Sequence, residues 1–146
     1  MNTIIVYASM SGKTEKMAIS IATELTKAGE EVVIKDVFEV FAEELRSFDR
    51  ILVGSYTWGN GDLSDEILGF YDELANIDLT GKVAATFGSG DSSYEYFARA
   101  VDILEETLQN QGCEIITKGL KVDSCLEDDE DIETKCLTFA KKCYHN

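Results

Sequence analysis

Three stretches concentrate the residues that could hold a ligand. The first, Ser9-Met10-Ser11-Gly12-Lys13-Thr14, follows the apolar run Thr3 to Tyr7 and precedes residues at helical spacing. Amides at a helix start lack intrahelical partners and sit at the positive end of the dipole, so this turn suits an anion. Gly12 permits close backbone approach, while Ser9, Ser11 and Thr14 offer hydroxyl donors. Gly12-Lys13-Thr14 matches the end of a triphosphate-binding P-loop, but that motif needs a glycine where Tyr7 stands. The G-x-G-x-x-G pattern of dinucleotide sites also fails, because the turn holds one glycine. A single phosphate group remains, against the plainer alternative of a serine-rich helix cap.

The second stretch, Ser55 to Leu63, carries the chain's one tryptophan, Trp58, preceded by Thr57 and followed by Gly59, Asn60 and Gly61. A tryptophan there either folds back onto the core or offers its face to a ligand. The third, Gly88-Ser89-Gly90-Asp91-Ser92-Ser93-Tyr94, has small residues whose amides can face a ligand, and it places Tyr94 at the start of the following helix. It also reads as an ordinary helix cap. Two aromatics on neighbouring loops beside a phosphate turn suggest a flat ring held between them.

These loops need a scaffold, and the chain alternates strand and helix signals to provide one. Apolar runs at Thr3 to Tyr7, Glu31 to Val37, Arg50 to Tyr56 and Lys82 to Gly88 predict strands covered on both faces. Glu114 to Val122 predicts a fifth, with Gly119 as a bulge. Helical spacing joins Met17, Ile21 and Leu25, then Ile67, Phe70, Tyr71 and Leu74. It continues through Phe97, Val101, Leu104 and Leu108, and again through Ile132, Cys136, Phe139, Ala140 and Cys143. Phe38 to Phe48 holds a short helix at most. The expected fold is α/β: one domain over residues 1–146, doubly wound, with a five-stranded parallel sheet and helices on both faces. In such sheets ligands gather beyond the carboxyl ends of the strands, where all three loops lie.

Composition removes other chemistries. A lone histidine, His145, beside four cysteines without a CxxC pair argues against a histidine triad, a multi-histidine metal site or a redox dithiol. With 13 Lys+Arg against 28 Asp+Glu the net charge is -15, which disfavours nucleic acid and anionic membranes and favours basic protein partners. No apolar run approaches a membrane span, and no cationic leader precedes the first strand-like run, so export is not expected. The acidic run Glu127 to Asp131, with Glu133, reads first as a solvated helix start and second as a docking patch.

Taken together, the three loops resemble those of the flavodoxins. The turn at 9–14 is similar to the family's [T/S]-x-[T/S]-G-x-T, and Tyr56-Thr57-Trp58-Gly59 and Gly90-Asp91-Ser92-Ser93-Tyr94-Glu95-Tyr96-Phe97 are similar to its second and third loops. The likeness spans essentially the whole chain and points to the short-chain branch. It implies strand order 2-1-3-4-5 and bound FMN. Ser9, Met10, Ser11, Gly12, Lys13 and Thr14 would hold the phosphate, with Lys13 contributing little. Trp58 and Tyr94 would face the ring, and Thr57, Gly59, Asn60, Gly61, Ser89, Gly90 and Asp91 would line its edge. The Gly59 carbonyl would turn to accept a hydrogen bond from flavin N5, favouring the neutral semiquinone, while nearby acids would disfavour the hydroquinone anion. The resemblance further implies a cytoplasmic, monomeric, low-potential one-electron carrier between a flavodoxin reductase and acceptor enzymes, both presenting basic faces.

Three other functions compete. A flavodoxin-like activator of a metalloenzyme such as ribonucleotide reductase would use the same parts. An FMN-dependent quinone or nitro reductase would need a substrate pocket, for which so short a chain has no obvious segment. A receiver domain would need acids where Ala8-Ser9 and Ser55-Tyr56 stand.

Overall fold

The computed structural model describes residues 1–58 and 61–144. Its parallel sheet is built from β1 (Asn2–Ala8), β2 (Glu31–Asp36), β3 (Arg50–Ser55) and β6 (Val83–Gly90), in the order β2-β1-β3-β6. The next position is shared by two short strands, β7 (Glu114–Ile115) and β8 (Leu120–Asp123), both parallel to β6. Between β3 and β6 the chain forms a small antiparallel hairpin, β4 (Thr57–Trp58) and β5 (Asp62–Leu63). Helices α1 (Lys13–Lys27), α2 (Asp65–Leu74), α3 (Arg99–Asn110) and α4 (Asp129–Tyr144) cover the sheet, and residues 37–47 supply only two 3₁₀ turns.

Side-chain alternation along the strands sorts the core into two layers. Ile4, Val6, Ile51, Val53 and Ala84 face α2 and α3 through Ile67, Phe70, Leu74, Leu104 and Leu108. Ile5, Leu52, Ala85 and Phe87 face α1 and α4 through Met17, Ile21, Leu25, Ile132, Cys136 and Phe139. Edge strand β2 departs from the expectation of cover on both faces. Val33 and Ile34 are exposed because the strand closes one end of the sheet and meets only part of α1.

The expected fifth strand is broken. Ala84 pairs Ile115 and Phe87 pairs Leu120, so three steps along β6 correspond to five along its neighbour. The two extra residues form the bulge near Gly119. A Cβ on that glycine would lie 2.5 Å from Val101 Cγ1, so the break lets the edge pass close to α3.

Close backbone passage also fixes the functional end of the sheet. A Cβ on Gly88 would stand 2.0 Å from the Ser55 carbonyl oxygen and 2.8 Å from Val101 Cγ2. Glycine there lets β6 lie tight against the end of β3. β6 therefore runs two residues beyond the expected Gly88, burying Ser89 and Gly90 in the strand rather than presenting them in a loop. Because backbone cannot give way as a side-chain tip can, Gly88→Ala should cost about 3 kcal/mol of stability, read as a lowered urea midpoint; an unchanged midpoint would contradict this packing.

Candidate functional site

Three loops leave adjacent strand ends. Ala8 of β1 pairs Ser55 of β3, and Gly54 of β3 pairs Phe87 of β6, so the segments following β1, β3 and β6 emerge side by side.

The first loop closes on itself. Gly12 adopts φ +88°, a left-handed conformation that glycine takes without a Cβ clash, and its N–H donates to Ser9 Oγ at 3.1 Å. The first helical bond runs from Lys16 N–H to Gly12 C=O at 3.0 Å. The amides of Lys13, Thr14 and Glu15 precede that bond and point out of the helix start, which has no side-chain cap. Met10 and Ser11 are exposed at the tip of the turn. Thr14 is buried, and its hydroxyl meets Ser89 Oγ at 3.1 Å, tying the turn to the end of β6. Two of the expected hydroxyl donors, Ser9 and Thr14, thus already serve in shaping the turn. Lys13 Nζ lies 3.5 Å from Asp129 Oδ1 on α4, which occupies its charge away from the turn.

The second loop is the β4–β5 hairpin. Trp58 pairs Asp62 across it and is 52% exposed rather than folded onto the core. Gly59 and Asn60, expected at the ring's edge, lie outside the described residues. Gly61 returns the chain at φ +110° and is buried. Thr57 Oγ1 accepts the Ala100 N–H at 3.0 Å, so this hydroxyl reaches α3.

In the third loop α3 begins at Arg99, five residues after Tyr94, which corrects the expected helix start. Asp91 is the cause. Its Oδ1 accepts the Ser93 N–H at 2.9 Å and its carbonyl accepts the Tyr94 N–H at 3.1 Å, folding the chain into turns instead. Tyr94, 48% exposed, stands on these turns. Hydrogen bonds to the backbone and hydroxyl of Ser93 and to the Cys125 thiol hold the Asp91 carboxyl below the usual carboxylate range. Its side chain is therefore an internal organiser of the loop.

A fourth segment, after β8, went unread in the sequence. Ser124 donates to the Gly90 carbonyl through both its N–H at 2.8 Å and its Oγ at 3.0 Å. Buried Asp123 accepts from Cys125 N–H at 3.0 Å, and its carboxyl is also held low, first by Ser92. Asp123-Ser124 sits at a strand's carboxyl end, the signal that found the other loops. Cys125 is exposed, its thiol pushed up chiefly by the hydrogen bond to Asp91. Cys113, Cys136 and Cys143 are buried, with burial raising their thiols to about 11, 12 and 12. On the other side of the first turn, Tyr7 Oη donates to Glu15 Oε2 at 2.8 Å; burial and that carboxylate raise the phenol to about 12.

A helix-start turn whose amides suit an anion thus lies beside two half-exposed aromatics on neighbouring loops. The family model for flavodoxin matches residues 5–136. The chain belongs to the flavodoxin family. It is 41% identical over 145 residues to probable flavodoxin 2 of Bacillus subtilis (strain 168), covering 95% of this chain and 94% of that one. It is 40% identical over 130 residues to a flavodoxin of Maridesulfovibrio salexigens, covering 87% and 89%. Among solved structures, oxidised flavodoxin 1 from Bacillus cereus superposes with a TM-score of 0.94 at 44% identity, covering 100% and 99% of the two chains. Oxidised flavodoxin 2 from Bacillus cereus gives 0.93 at 47% identity, covering 99% of each. As a flavodoxin, the chain is an FMN-binding electron carrier that works with redox partner proteins and converts no substrate of its own. Among the described residues, no helix is long and apolar enough to cross a membrane.

The two depressed carboxyls make the flavodoxin's third loop acid-sensitive. Each stabilises the fold above about pH 4, the unfolded aspartate value, and loses that contribution as pH falls through its lower folded value. Asp123→Asn should therefore lower the urea midpoint at neutral pH and flatten its decline between about pH 5 and pH 3. A decline as steep as in the unaltered chain would show that Asp123 does not carry the effect.

Proposed function

We propose that this flavodoxin is a low-potential, monomeric one-electron carrier whose three loops hold FMN, receiving electrons from a reductase and delivering them to acceptor proteins with basic docking faces. One observation carries the reading: Trp58 and Tyr94 stand half-exposed on adjacent loops beside a helix-start turn open to a phosphate. Bound FMN supplies a flavin that takes up and returns electrons singly.

The chain's own part begins at the turn. Amides of Ser11, Lys13 and Thr14, with the Ser11 hydroxyl, would pair a phosphate with dipoles. Ser9 and Gly12 hold the turn's shape through their mutual hydrogen bond, and Ser89 supports it from beneath through Thr14. Met10, exposed at the tip, would border the ligand. Indole and phenol faces would cover the ring from two sides and exclude water. Backbone groups of Gly59, Asn60, Gly61, Gly90 and Asp91 would meet its polar edge, while the Asp91 side chain acts on the loop itself.

Electrostatics would then set the potential. Asp62, Asp65, Glu66, Asp91 and Glu95 lie in or beside the loops of a chain with net charge -15. One carboxylate about 10 Å away, at an effective dielectric of ~40, disfavours an added negative charge by about 0.8 kcal/mol, or about 35 mV for one electron. A redox titration of the FMN-loaded protein should show two resolved one-electron steps, and Asp62→Asn should raise the lower potential by about 35 mV. A single two-electron wave would sink the carrier mechanism.

The acidic run divides into internal and external parts. Asp128 caps α4 by accepting Asp131 N–H at 2.8 Å, Glu127 pairs Lys135 at 2.6 Å, and Asp129 faces Lys13. Glu130, Asp131 and Glu133 remain exposed carboxylates along the start of α4. A basic partner would be attracted to them, and Coulomb attraction between exposed charges weakens with salt. Glu130→Lys combined with Glu133→Lys should slow reduction by a basic reductase and flatten its salt dependence; unchanged rates would leave the run a solvated helix start.

A further inference from the structure

We infer that Thr57 is a positioning residue that sets the gap between Trp58 and Tyr94, by serving as the N-cap that α3 does not supply for itself. The inference deepens the FMN reading and rests on it.

The residue at the N-cap of α3 is Ala98, which has no side chain able to accept a hydrogen bond. It is also the sole non-glycine residue with positive φ among the described residues, at φ 49° and ψ 35°. An alanine is strained in that region, and it persists only where the surroundings hold it. One side of the hold is Gly90, where a Cβ would come within 2.8 Å of the Ala98 nitrogen. The other is Thr57. Its Oγ1 accepts the N–H of Ala100, the second residue of the helix, which is the amide an N-cap side chain satisfies. The cap is thus delivered from a hairpin 43 residues earlier in the chain.

A second contact lies at the opposite end of the same hairpin. Gly61 packs so closely that a Cβ would stand 2.8 Å from Tyr96 Cβ and 3.1 Å from Arg99 Cδ. The Arg99 guanidinium carbon sits 5.3 Å from the centre of the Tyr96 ring, keeping that ring in place. Trp58 lies between Thr57 and Gly61 on the hairpin, and Tyr94 lies two residues before Tyr96. The hairpin is therefore gripped on both sides of Trp58 by the segment that carries Tyr94. The loops bearing Trp58 and Tyr94 are thus tied together at two points, and the hydroxyl of Thr57 sets their separation.

The test is FMN affinity, measured by titrating apoprotein with FMN and following flavin fluorescence, for Thr57→Val and Thr57→Ser alone and with Tyr94→Ala. Thr57→Val removes the acceptor at nearly constant shape and should weaken binding about tenfold, whereas Thr57→Ser keeps the acceptor and should stay within about twofold. Because Thr57 acts through the gap between the rings, its loss should matter less than about twofold once Tyr94 is alanine. A purely structural role would not move in that way. An undiminished tenfold loss in the Tyr94→Ala background, or an unaltered affinity in Thr57→Val, overturns the inference. If Thr57→Val does not fold, Gly61→Ala takes its place, with the same loss and the same dependence on Tyr94 expected. Trp58→Ala keeps the two readings apart: if neither it nor Tyr94→Ala weakens FMN binding, the flavin site itself is wrong, not the positioning.

Discussion

A chain with 28 acidic and 13 basic residues has to rely largely on dipoles to hold an anion, and the turn at 9–14 presents dipoles that suit one. The nearest lysine, Lys13, is drawn 3.5 Å from Asp129. What faces outward instead is a set of helix-start amides, fixed by the left-handed Gly12 and its bond to Ser9. Such a site depends on rigidity, because dipoles lose their advantage when they must be reoriented. The hydroxyl pair Thr14–Ser89 supplies part of that rigidity from the end of β6. Close passage at Gly88 keeps that strand end near enough to β3 to help.

The fold was legible because its signals are periodic. Four apolar runs and four helical faces specify a parallel sheet covered on both sides, and the observed layers use those same residues. Legibility failed where burial depends on position in the sheet rather than on the strand's own letters. Val33 and Ile34 read as core residues, yet β2 sits at an edge and leaves them exposed. The break in the last strand follows from the approach of Val101 to Gly119, a contact between segments 18 residues apart that no local pattern encodes.

At the site, residue types were readable and their bonding partners were not. Ser9, Thr14 and Thr57 look like ligand donors in sequence, and each proves to have an internal partner: Gly12, Ser89 and Ala100. Tyr94 stood where the helix was expected to start, but Asp91, an aspartate that captures the amide two residues on, competes with helix formation and delays α3 to Arg99. Asp123 and Ser124 were missed because they lie at the end of a short strand with a weak apolar pattern, not because their chemistry differs from that of the other loops.

These internal bonds share a direction. Thr57 to Ala100 and Ser124 to Gly90 run sideways from one strand-end segment to the next, and Thr14 to Ser89 reaches from the turn after β1 across to β6. Loops at the end of a parallel sheet are not hydrogen-bonded by the ladder, so without such ties each would move independently. A carrier cycling between charge states benefits from a site that does not relax with each electron, since reorganisation around a new charge raises the barrier to moving it. The ties leave Trp58 and Tyr94 half-exposed while fixing the loops that bear them. With FMN held between them as proposed, that exposure would let a partner approach it, and sideways bonding would keep the loops in place meanwhile.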